Sequence, residues 1–348
     1  MKIVTPGRIC LFGEHQDYLG LPIIALAISL HSSIIATKRN DREIIVNMPN
    51  LDDMERFSLD DLDYSKNREY FKSAIKVCIK EGLNFTNGFE STIDSNIPIR
   101  AGASSSSSIV VGWINLISRL ADNPPNWESQ TIGRLAYEAE VLEFNEPGGM
   151  MDQYTTALGG CIYLSPEPFF VKRLNPKLGT FVLGNSNEEK DTLGILKRCR
   201  DNRILMMERL NKRYPNLNFS NCNLEHGKSI LNKKDQILLQ ATVGNRENLF
   251  SAYKELKKNE LNHNKFGQLL FEHHAVLRDK LNVSTNKIDN MVQASMDAGA
   301  LGAKINGSGG GGCMFAYAPE NFQDVANAIK KSGGDAFIIN GEHGTRLD

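Results

Sequence analysis

Apolar and polar positions along the first fifty residues group in the manner of strands separated by polar breaks. Ile9-Cys10-Leu11-Phe12 and the run from Pro22 to Ala36 are two apolar segments, and Gly13-Glu14-His15-Gln16-Asp17-Tyr18 lies between them. Asp41 to Val46 reads as a further strand. The period then lengthens: Phe71, Ala74, Ile75, Val77 and Cys78 recur at helical spacing and predict a helix over Phe71 to Glu81. A short strand, Phe89 to Ile93, leads to Pro98 and Arg100-Ala101-Gly102-Ala103, then to five consecutive serines, Ser104 to Ser108. Helices are expected over Ile109 to Leu120, Ile132 to Phe144 and Asp152 to Leu158, and strands over Cys161 to Leu164 and Thr180 to Leu183. A polar break at residues 174–179 marks a lobe boundary. The remainder is mostly helical, over Asp191 to Leu210, Ile237 to Val243, Arg246 to Leu256, Phe266 to Leu281, Thr285 to Asp297 and Asn321 to Lys331. Cys313 to Ala318 and Ala336 to Asn340 read as strands. Strands and helices mix without regular alternation, which predicts an α+β fold in two lobes.

Composition narrows the function. The 348 residues exceed one ordinary compact core, and 40 Lys+Arg against 41 Asp+Glu leave a formal charge of -1. That balance argues against a nucleic-acid binder relying on a broad basic face. No stretch approaches the roughly 18 uninterrupted apolar residues of a membrane span. The opening reaches Pro6-Gly7 too soon for the apolar core of a secretory signal, so a cytoplasmic protein is expected. The six cysteines are far apart, with no CxxC pair, and read as reduced core thiols.

Three features carry chemistry. Gly102 and the serine run immediately precede an apolar helix, and a helix N-terminus flanked by small residues is suited to an anion. Serine hydroxyls add donors or ligate a hard cation such as Mg²⁺. Gly307-Ser308-Gly309-Gly310-Gly311-Gly312 formally contains G-x-G-x-x-G, but a strand follows the glycines where a dinucleotide fold needs a helix. Gly227-Lys228-Ser229 fails as a phosphate loop because Cys222 stands where glycine is required. Polar groups in apolar surroundings are the third feature: Arg8, Glu14, His15 and Asp17 near one strand end, Glu138, Glu140 and Glu143 on one helix, and Asp152 after Gly148-Gly149. His273-His274 are adjacent, point apart, and read as ordinary.

Taken in order, Pro6 to Tyr18, Pro98 to Ser108 and Lys304 to Cys313 resemble the three motifs of the GHMP kinases, the family of galactokinase, homoserine kinase, mevalonate kinase and phosphomevalonate kinase. Gly148-Gly149-Met150-Met151-Asp152-Gln153 resembles the galactokinase segment bearing the catalytic aspartate. The resemblance implies an S5-like N-terminal lobe over residues 1–175, a mostly helical α/β lobe over 176–348, and an active site between them. It implies Asp152 as base or orienter, with Arg8 pairing with it. Glu14, His15, Asp17 and Gly149 would contact a sugar. Gly102, Ala103, Ser104, Ser105, Ser106 and Ser107 would cradle ATP, with Gly309 and Gly310 in the loop that braces them. Ser106 and Glu140 would hold Mg²⁺.

Several positions depart from the pattern. Arg100 and Ala103 stand where the family usually has a small residue and Leu, and Arg100 is a candidate phosphate contact. Cys10 and Leu19 replace residues that are commonly Asn in galactokinases. The stretch Asn185 to Thr192 lacks the tyrosine of a true galactokinase and looks closer to mevalonate kinase and other sugar-kinase relatives. The expected activity is phosphoryl transfer from ATP to a sugar hydroxyl, galactokinase-like, with mevalonate kinase as the alternative. A catalytically silent sugar- or ATP-binding sensor is the alternative of another class. Neither a membrane nor a nucleic acid is an expected partner, and the oligomeric state is left open.

Overall fold

The computed structural model describes residues 1–99 and 101–348, so the reading of Arg100 as a phosphate contact lies outside the described residues. The first lobe is built on a sheet of β1 (Lys2–Phe12), β2 (Ile23–Lys38), β3 (Glu43–Met48), β4 (Asp53–Ser58), β5 (Phe89–Ser95), β6 (Cys161–Pro166) and β7 (Phe169–Leu174). β2 is long enough to pair with three neighbours: β1 along most of its length, β5 through Ser32 to Lys38, and β6 through Ile23 to Leu26. β3 lies parallel to β5 and antiparallel to the edge strand β4, while β7 extends the sheet beyond β6.

Four helices cover this sheet: α1 (Tyr70–Lys80), α2 (Ser105–Leu120), α3 (Ser129–Tyr137) and α4 (Met151–Leu158). Trp113 of α2 is fully buried at the centre, its ring 4.7 Å from Phe71 of α1 and 5.2 Å from Phe89 of β5. The apolar positions that predicted these elements are thus the ones that meet.

The second lobe carries a sheet in the order β11–β8–β10–β9, from β8 (Phe181–Asn185), β9 (Gly302–Ile305), β10 (Cys313–Tyr317) and β11 (Asp335–Ile339). Its helices are α5 (Thr192–Asn211), α6 (Lys233–Leu256), α7 (His263–Asp279), α8 (Asn286–Asp297) and α9 (Phe322–Lys331). One apolar cluster runs through both lobes, joining Ile9, Leu11 and Phe12 to Leu249, Phe266 and Phe315. Among the described residues, no helix is long and apolar enough to cross a membrane.

The elements differ from expectation in instructive places. α6 is one helix of 24 residues where two were expected. Gly244 does not break it: a methyl there would only touch Val276 at 3.7 Å, and packing against α7 outweighs glycine's cost of about 1 kcal/mol. The expected helix Ile132 to Phe144 is α3 followed by a wider π turn, Glu138–Leu142. α2 starts at Ser105, so the serine run enters the helix. Edge strands β4 and β7 were missed because their exposed residues carry no apolar alternation.

The closing segment returns to the first sheet. β12 (Arg346–Leu347) pairs antiparallel with Ile3 and Val4. Thr345 is buried, with its hydroxyl 2.8 Å from that of Thr5 and accepting from Asn115 Nδ2 at 3.0 Å. Replacing that hydroxyl by a methyl removes the acceptor of Asn115 Nδ2 and the partner of the Thr5 hydroxyl. Thr345→Val should therefore lower unfolding stability by about 1–3 kcal/mol in a urea titration.

Candidate active site

A cleft of about 640 Å³ lies between the lobes. Its floor is made by β1 and the serine run. Opposite Pro6 and Gly7, β2 carries two extra residues, Ser29 and Leu30, a bulge that interrupts its ladder with β1. Gly7 then lies so close to the run that a methyl on it would meet the Ala103 carbonyl at 2.7 Å. That approach lets Arg8 N donate to Ala103 O at 3.1 Å and aims the Arg8 side chain into the cleft.

The guanidinium grips Asp152 with two bonds, Nε to Oδ1 at 2.8 Å and Nη2 to Oδ2 at 2.7 Å, and Nη1 donates to the Gly102 carbonyl. Burial opposes the charge on Arg8, but Asp152 and Glu14 outweigh it and raise the pKa, so it stays protonated. Asp152 sits in the first turn of α4 and keeps 27% side-chain exposure, on the cleft side. Residues 144 positions apart thus form one planar, bidentate unit.

Asp17 lies on the same side of the cleft. Its Oδ2 accepts from Met151 N at 3.2 Å and its Oδ1 from Tyr18 N at 3.0 Å. Burial, and secondarily Asp152, push its pKa up to about 6. Gly149 is what allows this: a methyl on it would come within 1.9 Å of Asp17 Oδ2. His15, with φ at 62°, is held by a chain of hydrogen bonds. Buried Arg203 of α5 donates to Tyr18 Oη at 2.6 Å, Tyr18 donates to His15 Nδ1 at 2.8 Å, and His15 Nε2 donates to Ser308 O at 3.0 Å. Burial and the nearby Arg203 drop the pKa of His15 to about 3, so the ring is neutral and carries its proton on Nε2.

Glu14 borders the cleft, but both its oxygens are spent elsewhere. Oε2 pairs with the fully buried Lys304 at 2.6 Å, and Oε1 accepts from Gly307 N at 2.6 Å. Lys304 also donates to Cys10 O at 2.9 Å. Expected as a sugar contact, Glu14 is placed here as a strut between β1 and the glycine loop.

The two small-residue loops pack backbone to backbone. Gly102 and Gly307 take positive φ, and a methyl on Gly307 would meet the Gly102 carbonyl at 2.8 Å. Asn306 bridges them, donating to Gly102 O at 2.9 Å and accepting from Cys10 N at 2.9 Å. Gly102, Ser104, Ser105, Ser106 and Ser107 line the cleft, with Gly307 and Ser308 facing them. Ala103 is fully buried beneath β1. Gly309 and Gly310, expected among nucleotide contacts, pack instead on Val283 and Ile195 of the second lobe. Ser108 is withdrawn too, its hydroxyl donating to Thr5 O at 2.9 Å.

Glu140 projects from the π turn, which sets its side chain beside the start of α2. Burial raises its pKa to about 7, against the pull of Gln153 and the Ser107 and Ser106 hydroxyls. A buried carboxylate of raised pKa, with hydroxyls beside it and the exposed Ser106 facing the cleft, is a donor set suited to a hard divalent cation.

Two features escaped the sequence. Lys190, in the loop before α5, projects into the cleft so that its ammonium would lie 2.7 Å from a methyl on Gly102. Among the described residues it makes no hydrogen bond or ion pair, and burial lowers its pKa. Leu51, Ile99, Ile109, Val141 and Tyr70 also line the cleft and are its apolar wall. Nothing in the local pattern of either segment marks it as functional.

Such a site, with a carboxylate clamped by a guanidinium beside an anion-suited helix start, defines a phosphotransferase acting on a hydroxyl. The comparisons agree. The description "GHMP kinases N terminal domain" matches residues 69–160, "GHMP kinases C terminal" matches 252–335, and "Galactokinase galactose-binding signature" matches 3–38. The chain is 32% identical over 361 residues to a mevalonate kinase of Thermococcus gammatolerans, covering 99% of this chain and 97% of that one. It is 30% identical over 344 residues to a galactokinase of Clostridium perfringens, covering 92% and 86%. The structure of Lactococcus lactis galactokinase complexed with galactose superposes with a TM-score of 0.86 at 22% identity, over 99% of this chain and 94% of that one. The protein belongs to the GHMP kinase family.

Gly149→Ala isolates the geometry at Asp17. The added methyl forces that carboxylate out of the cleft. A displacement of about 1 Å at a reacting site costs on the order of 10²-fold, so kcat/KM for the phosphoryl acceptor should fall by that factor while circular dichroism stays unchanged.

Proposed function

We propose that the chain is an ATP- and Mg²⁺-dependent kinase of a neutral sugar, galactokinase-like, yielding a sugar 1-phosphate. The observation that carries this reading is Asp17, a carboxylate presented to the cleft beside Asp152. A polyol offers hydroxyl donors to that carboxylate, whereas an acid would meet repulsion. Neutral His15 and the match of the galactose-binding signature over residues 3–38 support the same choice.

In this reading the apolar wall takes the adenine, and the triphosphate lies across the serine run at the start of α2. Mg²⁺, when bound by Glu140 and Ser106, neutralises charge on the phosphates. Arg8 holds Asp152 aimed at the acceptor hydroxyl. Asp152 receives the hydroxyl proton as the new P–O bond forms, and ADP leaves with the electrons of the broken bond. Lys190 supplies positive charge where the two loops meet. A second reading, mevalonate as acceptor, is favoured by the 32% identity to the Thermococcus enzyme and by that same ammonium, which would take a carboxylate.

ADP release measured across hexoses, pentoses, uronic acids and mevalonate separates these readings. Turnover is expected with a neutral hexose and should fall about 10²–10⁴-fold in Asp152→Asn, the usual contribution of a positioned base. Turnover with mevalonate alone overturns the sugar assignment.

Asp17 sets an acid limb. Its pKa of about 6 means the carboxylate is ionised above that pH and protonated below it. With MgATP saturating, so that the cation holds Glu140 ionised, sugar kcat/KM should therefore fall about tenfold per pH unit below 6, and Asp17→Asn should remove that limb from a log(kcat/KM)–pH plot.

A further inference from the structure

Gln153 follows Asp152 on α4, is 2% exposed, and borders the cleft. Its Nε2 donates to Glu140 Oε2 at 2.6 Å and lies 3.4 Å from Ser107 Oγ. Its amide carbonyl Oε1 is buried, and among the described residues no group donates to it. Turning the amide over is no remedy, because that would set the carbonyl against the Glu140 carboxylate. The arrangement therefore holds one donor satisfied and one acceptor waiting, next to the residues suited to a hard cation.

Buried acceptors find donors, and Gln153 lines the cleft. A water on a divalent cation turns its oxygen to the metal and both hydrogens outward. Such a water is a strong donor in the place where Oε1 lacks one. We propose that Gln153 is a positioning residue for the cation: Nε2 fixes the Glu140 carboxylate that ligates it, and Oε1 accepts from a water on it. This rests on the Mg²⁺ site of the proposed function. An amide is suited to both tasks, since one end donates and the other accepts. A carboxylate at 153 would repel Glu140, and an apolar side chain would leave both bonds unmade. The role sits one residue from Asp152, so one turn of α4 would set both the proton acceptor and the cation.

The test is binding of AMPPNP by calorimetry, with Mg²⁺ and with EDTA, to wild type, Gln153→Met and Gln153→Asn. Methionine keeps the length without the amide, and asparagine keeps the amide one methylene short. Outer partners of a metal ligand change affinity 10–100-fold. The Mg²⁺-dependent gain in affinity should thus shrink at least tenfold in both variants, with affinity in EDTA within twofold of wild type and the thermal midpoint retained. A full Mg²⁺ gain in either folded variant, alongside one in wild type, overturns the role of Gln153. No Mg²⁺ gain in wild type overturns the cation site itself, and the assignment with it.

Discussion

The buried pair of Glu14 and Lys304 is the constraint on which the cleft depends. Lys304 stands on β9 of the second lobe and Glu14 just after β1 of the first, 290 residues apart in sequence and 2.6 Å apart in space. Removing one partner of such a pair typically costs 3–5 kcal/mol, because the other charge is left in a medium that does not solvate it. Here Gly307 N and the Cys10 carbonyl complete the pair. The ion pair is thereby tied to the glycine loop on one side and to the strand carrying Arg8 on the other. The lobes meet at a fixed place, and the two small-residue loops are held in contact.

Within that frame, each polar group in the cleft owes its charge state to its surroundings. Arg8 is kept charged by Asp152. Glu140 and Asp17 are lifted toward neutrality by burial, and His15 is held neutral by burial beside Arg203. Carboxylates poised between pH 6 and 7 respond to what enters: a cation or a hydroxyl donor completes them. The π turn contributes by geometry, swinging Glu140 off the track of α3 and toward the serine run.

Much of this was legible in the sequence where local chemistry is distinctive. The serine run and the hexad at 307–312 stood out because small residues in such density serve close approach, Arg8 stood out as a charge at the mouth of an apolar strand, and Asp152 through the resemblance of its segment Gly148 to Gln153. What stayed hidden depends on distant partners. Glu14 reads the same whether it faces a sugar or Lys304, and only the fold decides. Gly149 looks like a turn glycine until Asp17 is found against it. Lys190 lies in a loop with no period at all. The π turn follows α3 without any break in the apolar pattern, and β4 and β7 are edges whose side chains face solvent and so carry little alternation.

The return of β12 to β1 bears on biosynthesis. Ile3 and Val4 emerge from the ribosome long before Arg346 and Leu347, which pair with them. Thr5 and Asn115 likewise wait for Thr345. The first lobe can collapse around Trp113 during translation, but its hydrogen bonding closes only after the second lobe has been made. Cotranslational folding of this chain is thus not a simple sequence of finished units, and a nascent chain stalled before residue 341 presents an open strand edge to chaperones and to other chains.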